Sequence, residues 1–166
     1  MTSTMKIRRV VTGHDADGKA IVAIDDVIEG RPVLGGDAAF SVMWVSATSP
    51  VDNDDATDRA RTPIGLVQKG GSVLRFVEIP AGVRSPLHRT QSLDYGIVIS
   101  GEIDLELDGG HITRLDAGDV VVQRGTIHAW INRGQTTARM AFVLLDAKAV
   151  TSNGVPLPPV SHDIKP

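Results

Sequence analysis

The chain has 166 residues, of which 42% are hydrophobic and 22% charged, and its formal net charge is −3. This composition is typical of a globular domain, and the length suffices for one hydrophobic core. The absence of Cys excludes disulfides, thiolate nucleophiles and Cys-ligated metals. Lys and Arg are scattered, which argues against nucleic acid or an anionic membrane surface as a partner.

No apolar run approaches the roughly 20 residues that a membrane-spanning helix requires. The first residues are not followed by an apolar stretch of signal-peptide length either. We therefore expect a cytoplasmic protein that binds neither nucleic acid nor a membrane.

In chain order, short β-type runs alternate with turn residues, while helical periodicity is almost absent, as is typical of a β-sandwich or barrel. The pair Asp17-Gly18 favours a reversal between the first two runs. The acidic segment 49–61 holds four Asp and few apolar residues and is predicted to be a mobile surface loop. The strands predicted in this half are 6–12, 19–26, 40–47 and 73–79.

The second half shows the β pattern more clearly. Apolar and acidic residues alternate strictly over 103–108, so one face of this strand is expected to be buried and the other solvated. Short turns between successive strands predict an antiparallel meander or Greek key that closes on itself. The strands predicted in this half are 103–108, 111–115, 119–123, 128–132 and 139–145.

The whole chain, 1–166, is predicted to form a single domain. Residues 1–65 would supply N-terminal strands and the acidic loop, and residues 70–145 the core barrel. The tail 146–166 is rich in Pro and is predicted to lack regular structure.

The segment 82–101 resembles the first cupin motif, in which Gly, two His, a Glu and a second Gly recur at fixed spacings. Gly82, His88 and Gly101 stand at matching positions. The chemistry departs twice, because Thr90 stands in place of the second His and Asp94 in place of the Glu.

The segment 118–132 resembles the second cupin motif. Its opening Gly-Asp pair, Gly125, His128 and Asn132 all match, whereas Gln123 stands in place of the usual Pro. The resemblance implies an all-β fold, the cupin-type double-stranded β-helix or jelly-roll barrel of antiparallel strands. It says little about activity, because one fold hosts many functions.

The resemblance also implies a divalent metal, with His88, Asp94 and His128 as the remaining ligands. Two imidazoles and a carboxylate can hold Fe, Mn, Ni or Zn with open coordination positions. A metal-free alternative is that His88 or His128 acts as a general base while Asp94 orients the imidazole. In that case Thr90 is a hydrogen-bonding group.

Four further residues are candidates for ligand binding. Alternation places Trp130 on the same face as His128, where an aromatic ring suits a planar or apolar ligand. Thr90 and Gln123 occupy motif positions, and Arg124 lies beside the second motif, where it could attract a carboxylate together with neighbouring arginines.

The sequence thus predicts a small cupin enzyme that acts on a small organic molecule, with aromatic and polyketide-like compounds as candidates. The reaction could be an oxygenation, dehydration, decarboxylation or isomerisation. The alternative is a non-catalytic cupin module that binds a small ligand. A homodimer is expected, pairing through outer sheet faces and N-terminal strands.

Overall fold

The structure, a computed structural model, describes residues 5–34 and 37–160. These residues form β-strands joined by turns and loops, without an α-helix in either range, so the all-β prediction is confirmed. In the described part of the chain, no helix is long and apolar enough to cross a membrane. The strands are β1 (Lys6–His14), β2 (Ala20–Glu29), β3 (Arg31–Val33), β4 (Ala38–Ser46), β5 (Ser72–Ile79), β6 (Ser92–Ser100), β7 (Glu102–Leu107), β8 (Ile112–Asp116), β9 (Val120–Arg124), β10 (His128–Ile131), β11 (Ala138–Asp146), β12 (Thr151–Ser152) and β13 (Val155–Pro156).

Two antiparallel sheets build the barrel. The larger sheet has six strands in the order β3-β4-β5-β11-β6-β9, and the smaller has three in the order β10-β7-β8. Sequential neighbours such as β7 and β8 pair directly, whereas β11 returns to lie between β5 and β6. These long-range pairings place both motif segments around one interior.

The core lies between the two sheets, and strand alternation explains its composition. On β5, every second residue is buried, so Val73, Val77 and Ile79 face inward. On the opposite sheet, Ile103 and Trp130 are buried in one hydrophobic cluster with Val77 and Ile79. Burial of these apolar side chains is the main force that holds the sheets together.

Gly101, the last residue of the first motif, forms the turn between β6 and β7. Its φ angle of 77° lies in the left-handed region, which favours glycine. A Cβ at this position would also lie only 3.0 Å from the Ala138 Cα and from the Thr137 carbonyl oxygen. Both the turn and the close approach of β11 therefore require Gly here.

The hairpin of β1 and β2 is fastened to the rest of the protein by a buried arginine. Arg9 hydrogen-bonds to Asp26 on β2, to Asp58 in the acidic segment and to the carbonyl oxygen of Met43 on β4. The segment 49–61 was predicted to be a mobile surface loop. It contains no strand, but Asp58 ties it to the interior.

The tail is described as far as Val160, and this part contains a short hairpin where the sequence predicted no regular structure; residues 161–166 lie outside the described residues. β12 and β13 form a two-residue hairpin, in which Thr151 pairs with Pro156 and Ser152 with Val155. Pro156 stands at a position where no backbone donor is needed, so proline does not prevent the pairing. Val160 then forms an antiparallel bridge with Arg89, next to His88.

Candidate functional site

A cavity of about 70 Å³ lies inside the barrel, lined by residues of both motifs. Six of the seven residues that the sequence predicted as catalytic or ligand-binding line this inner cavity. They are His88, Thr90, Asp94, Gln123, His128 and Trp130. Apolar side chains such as Leu144 close the remaining walls, so the polar groups lie among apolar neighbours.

Backbone pairing brings the two histidines together. His88 and His128 exchange both backbone hydrogen bonds of an antiparallel bridge, with N···O distances of 2.9 and 3.0 Å. Their ring centroids lie 4.1 Å apart, with the ring planes tilted by 54°. Strand pairing thus brings together two histidines that lie 40 positions apart in the sequence.

The hydrogen bonds of the imidazoles fix which nitrogen carries the hydrogen. The Nδ1 atom of His88 lies 2.9 Å from the Pro86 carbonyl oxygen, and that of His128 lies 3.0 Å from the Thr126 carbonyl oxygen. Because a carbonyl oxygen only accepts, each Nδ1–H donates, and Nε2 of the neutral ring is left as an acceptor.

The surroundings keep both rings neutral. Burial lowers the pKa of His88 below its ordinary value of 6.5, because the charged form loses hydration. Burial, together with repulsion from the His88 ring, lowers the pKa of His128 to about 3. Both rings are therefore neutral near neutral pH and both Nε2 atoms can accept a hydrogen bond, while the neighbouring ring disfavours the charged form of His128 further.

The pKa of Asp94 is shifted in the opposite direction from those of the histidines. Burial raises its pKa to about 6, against the opposing influence of the Ser92 and Thr90 hydroxyls and the Arg75 charge. Its Oδ1 atom is buried without a hydrogen-bond partner. A carboxyl group with such a pKa can both hold and release a proton near neutral pH.

Asp94 does not orient either imidazole, contrary to the metal-free alternative formulated from the sequence. The Nδ1 atoms are taken by backbone carbonyls, and no hydrogen bond within residues 5–34 and 37–160 joins Asp94 to His88 or His128. Asp94 lies on β6 in the larger sheet, whereas His128 lies on β10 in the smaller one.

The donor set also does not fit the predicted three-ligand metal site. The orientation of the histidines would suit a metal as well as a proton. However, the described residues contain no group of three His, Asp or Glu side chains that could hold a metal ion. Asp94 is one methylene shorter than the Glu of the motif, and the Thr90 hydroxyl already accepts a hydrogen bond from Ser92 at 2.8 Å.

An aromatic chain leads away from the histidines. The His128 and Trp130 centroids lie 5.8 Å apart, and those of Trp130 and Phe142 lie 5.5 Å apart, both in edge-to-face arrangements. Trp130 lines the cavity as its alternation with His128 predicted. Asn132 instead hydrogen-bonds to the Ile79 and Thr136 carbonyl oxygens and has a structural role.

Arg124 does not belong to this site. Gln123 is buried and lines the cavity, so the next residue on the same strand points to the opposite, exposed face. Arg124 lines a separate surface groove beside Gly125 and Val150. The alternation of β9 therefore separates Arg124 from the inner cavity, and its predicted ligand binding stays a prediction for the surface groove.

Sequence reasoning missed Arg75, a charged residue on the inner face of β5. Arg75 is only 4% exposed and lines the inner cavity. Its Nη2 atom donates to the carbonyl oxygens of Gly65 and Leu66, while Nε has no acceptor. The signal was present in the sequence, since Arg75 occupies the same alternation as the buried Val73 and Val77.

A larger cavity of about 470 Å³ lies outside the barrel, between the N-terminal hairpin and the larger sheet. Phe40 and Arg75 line both this outer cavity and the inner one. The guanidinium carbon of Arg75 lies 5.5 Å from the centroid of the Phe40 ring. These two side chains therefore form the wall between the two cavities.

Comparison with known proteins assigns the family. The model of the cupin domain matches residues 75–144, which include both motifs. The Phomopsin biosynthesis cluster protein D of Diaporthe leptostromiformis is 44% identical over 155 residues, which cover 88% of this chain and 82% of that protein. The chain therefore belongs to the cupin family.

Two other relatives are named as cupin-domain-containing oxidoreductases. A cupin-domain-containing oxidoreductase of Aspergillus ruber is 40% identical over 156 residues, covering 90% of this chain and 77% of that protein. Another, from Hypocrea virens, is 35% identical and covers 89% of this chain and 79% of its own length.

Solved structures support the fold. The cupin domain of Cnp3 from Schizosaccharomyces pombe superposes with a TM-score of 0.54 and 12% identity, covering 84% of this chain and 87% of that one. An ethanolamine utilization protein Q of Salmonella typhimurium superposes with a TM-score of 0.51 at 13% identity. The match covers 87% of this chain and 99% of that one. The predicted cupin jelly-roll barrel is confirmed.

Proposed function

We propose that this protein is an enzyme that moves a proton on a small organic molecule held in the inner cavity. The observation that carries this proposal is the pairing of two neutral imidazoles with a buried carboxyl group in one apolar cavity. Groups whose environments push their pKa values apart are typical of acid–base catalysis. The names of the relatives support an enzyme of biosynthesis.

Each polar group has a part in the proposed reaction. His88 accepts a proton on Nε2, since its pKa is lowered without the added repulsion that keeps His128 neutral at lower pH. His128 accepts a hydrogen bond from the substrate and orients it. Asp94 supplies the returning proton from the larger sheet, because its pKa of about 6 allows it to be protonated near neutral pH.

The apolar walls define the second half of the proposal. Trp130 and Phe142 present aromatic edges and faces, which suit an apolar or planar substrate. A cavity of about 70 Å³ is well below the usual ligand pocket of about 300–1,000 Å³. The inner cavity therefore holds the reacting end of the substrate. The rest of a larger substrate molecule would extend beyond the wall of this cavity.

The test is proton exchange on a small enolisable carbonyl compound. Hydroxyacetone in D₂O should lose its C–H signals in proton NMR faster with the protein than with buffer alone. His88→Ala should lower this rate by about 10²–10⁴-fold. His111→Ala, at an exposed position in the turn between β7 and β8, is the matched control and should keep the full rate.

Three results would contradict the proposal. Proton exchange at the rate of buffer alone would favour the alternative, a non-catalytic module that binds a small ligand. Loss of exchange in the His111 variant would show that the loss in the His88 variant is not specific to the cavity. A near-stoichiometric Fe, Mn, Ni or Zn ion after reconstitution, released by His128→Ala, would show that the cavity holds a metal. Elemental analysis of the purified protein measures this directly.

A further inference from the structure

We propose that Arg75 binds the carboxylate of an organic-acid ligand inside the barrel. This inference rests on the proposed function only in using the same inner cavity, and it names the class of ligand. The sequence had placed carboxylate binding at Arg124, on the outer face. The structure offers Arg75 instead, at the wall between the inner and outer cavities.

The first step of the argument is the cost of the buried charge. Arg75 is 4% exposed and forms no salt bridge with any described residue. Burial lowers its pKa to about 10, which leaves the guanidinium charged at neutral pH. Asp94 acts on the guanidinium only from a distance, so the buried charge lacks an anion in direct contact, and an anionic ligand would supply one.

The second step is the fixed geometry of the guanidinium. Two backbone carbonyls hold Nη2 at 3.0 and 2.7 Å, and the Phe40 ring lies against the group. These contacts occupy one edge and one side of the planar group. The Nε–H remains without an acceptor, as a pre-positioned donor for a carboxylate oxygen.

The third step concerns the other unpartnered groups in the cavity. Gln123 is 4% exposed, and neither its Oε1 nor its Nε2 atom has a hydrogen-bond partner. Asp94, directly across from Gln123 in the register of β6 and β9, leaves Oδ1 unpartnered. Buried polar groups are normally satisfied, so three such side chains around one cavity indicate a polar occupant.

Asp94 predicts a distinguishing feature of the binding. Asp94 lines the same inner cavity as Arg75 and lies two strands away from it, across β11. An incoming carboxylate would be repelled by an ionised Asp94. Removal of that charge should therefore strengthen binding of the anion and leave a neutral analogue unaffected.

The experiment uses acetate and its neutral analogue acetamide, which are small enough for the inner cavity. Binding to the full chain is followed by the indole N–H signal of Trp130 in ¹H–¹⁵N NMR, at pH 7 and constant ionic strength. Acetate should bind about 10- to 100-fold more tightly than acetamide, as expected for a charge-assisted hydrogen bond. Equal affinities would overturn the inference.

Variants separate Arg75 from general electrostatics. Arg75→Gln should reduce acetate affinity to that of acetamide, whereas Asp94→Asn should increase it. Arg84→Gln is the matched control, because Arg84 is half-exposed and paired with Glu106 outside the cavity, so acetate affinity should not change. Equal losses in the Arg75 and Arg84 variants, or a loss in Asp94→Asn, would overturn the inference.

The result does not depend on turnover. If Arg75→Gln fails to fold by circular dichroism, Arg75→Lys and the acetate-to-acetamide ratio of the unmodified protein decide the question. Acetate binding without proton exchange on hydroxyacetone would overturn the proposed catalysis and support the carboxylate site. Proton exchange on hydroxyacetone without a preference for acetate over acetamide would support the proposed catalysis and overturn the carboxylate site.

Discussion

Asp94 and His128 line the same cavity, yet burial changes their proton affinities in opposite senses. The pKa of His128 falls to about 3, so in the folded protein the ring stays neutral where an unfolded chain would protonate it. Its contribution to stability is complete above pH 6.5 and is lost as the pH falls from there toward 3. Asp94 has a raised pKa of about 6, so its protonated form favours folding as the pH falls from 6 toward 4.

Asp94→Asn removes the gain in stability that protonation of Asp94 provides at low pH, which otherwise offsets the loss caused by His128. We expect the free energy of unfolding of this variant to drop by about 1 kcal/mol more than that of the unmodified protein between pH 7 and pH 5. Urea denaturation at both pH values measures the difference. Asp108→Asn, at an exposed turn position, should leave the pH dependence unchanged, and an equal drop in all three proteins would contradict the prediction.

Motif spacing located the residues that meet in the cavity but not the properties of their side chains. His88 and His128 could be paired because the two segments match at fixed distances along the chain. The hydrogen bonds of Nδ1 and the shifted pKa values depend on burial and on backbone carbonyls, which spacing does not encode. Arg124 lies next to Gln123 in the sequence but on the other face of β9, because a shift of one residue along a strand moves the side chain to the opposite face.

At the scale of single elements, the alternation of apolar and polar residues predicted the central strands. The nine strands predicted by pattern all overlap observed strands, with ends that differ by up to three residues. β6 was not predicted as a strand; it lies within the first-motif segment 82–101. β3 and the hairpin of β12 and β13 are too short to carry a period, and tertiary pairing forms them.

The N-terminal hairpin offers a matched pair of substitutions on one strand. Arg8 and Arg9 are neighbours on β1, but Arg8 pairs with Asp25 in solvent, whereas Arg9 is buried against Asp26 and Asp58. Arg9→Met should reduce the free energy of unfolding by about 2–4 kcal/mol, because it leaves the partly buried carboxylate of Asp58 without its partner and that of Asp26 with the exposed Arg61 alone.

Arg8→Met is the control and should change stability little, since exposed ion pairs contribute little. Denaturant unfolding measures both variants, and amide exchange should be faster along β1 and the acidic segment in Arg9→Met alone. Equal stability of the two variants would show that Arg9 does not fasten the hairpin to the loop.

At the scale of the whole molecule, the outer face of the larger sheet carries exposed apolar side chains on neighbouring strands. Tyr95 on β6 pairs in register with Val122 on β9, and Ile97 pairs with Val120. These four side chains are between 37% and 60% exposed. An apolar cluster of this kind on an exposed sheet face is typical of an interface with another protein.

The expected homodimer gives this face an occupant, since a two-fold axis would bring the same patch of each subunit together. Light scattering at micromolar concentration should therefore give twice the 17.6 kDa mass of one chain. Val122→Lys should shift the protein to the monomer, because a charge in the centre of an apolar interface is desolvated without a partner. Val22→Lys, at an equally exposed position on β2, is the matched control for the hairpin surface. A 17.6 kDa species alone would contradict the dimer, and dissociation by Val22→Lys instead would place the interface on the N-terminal strands.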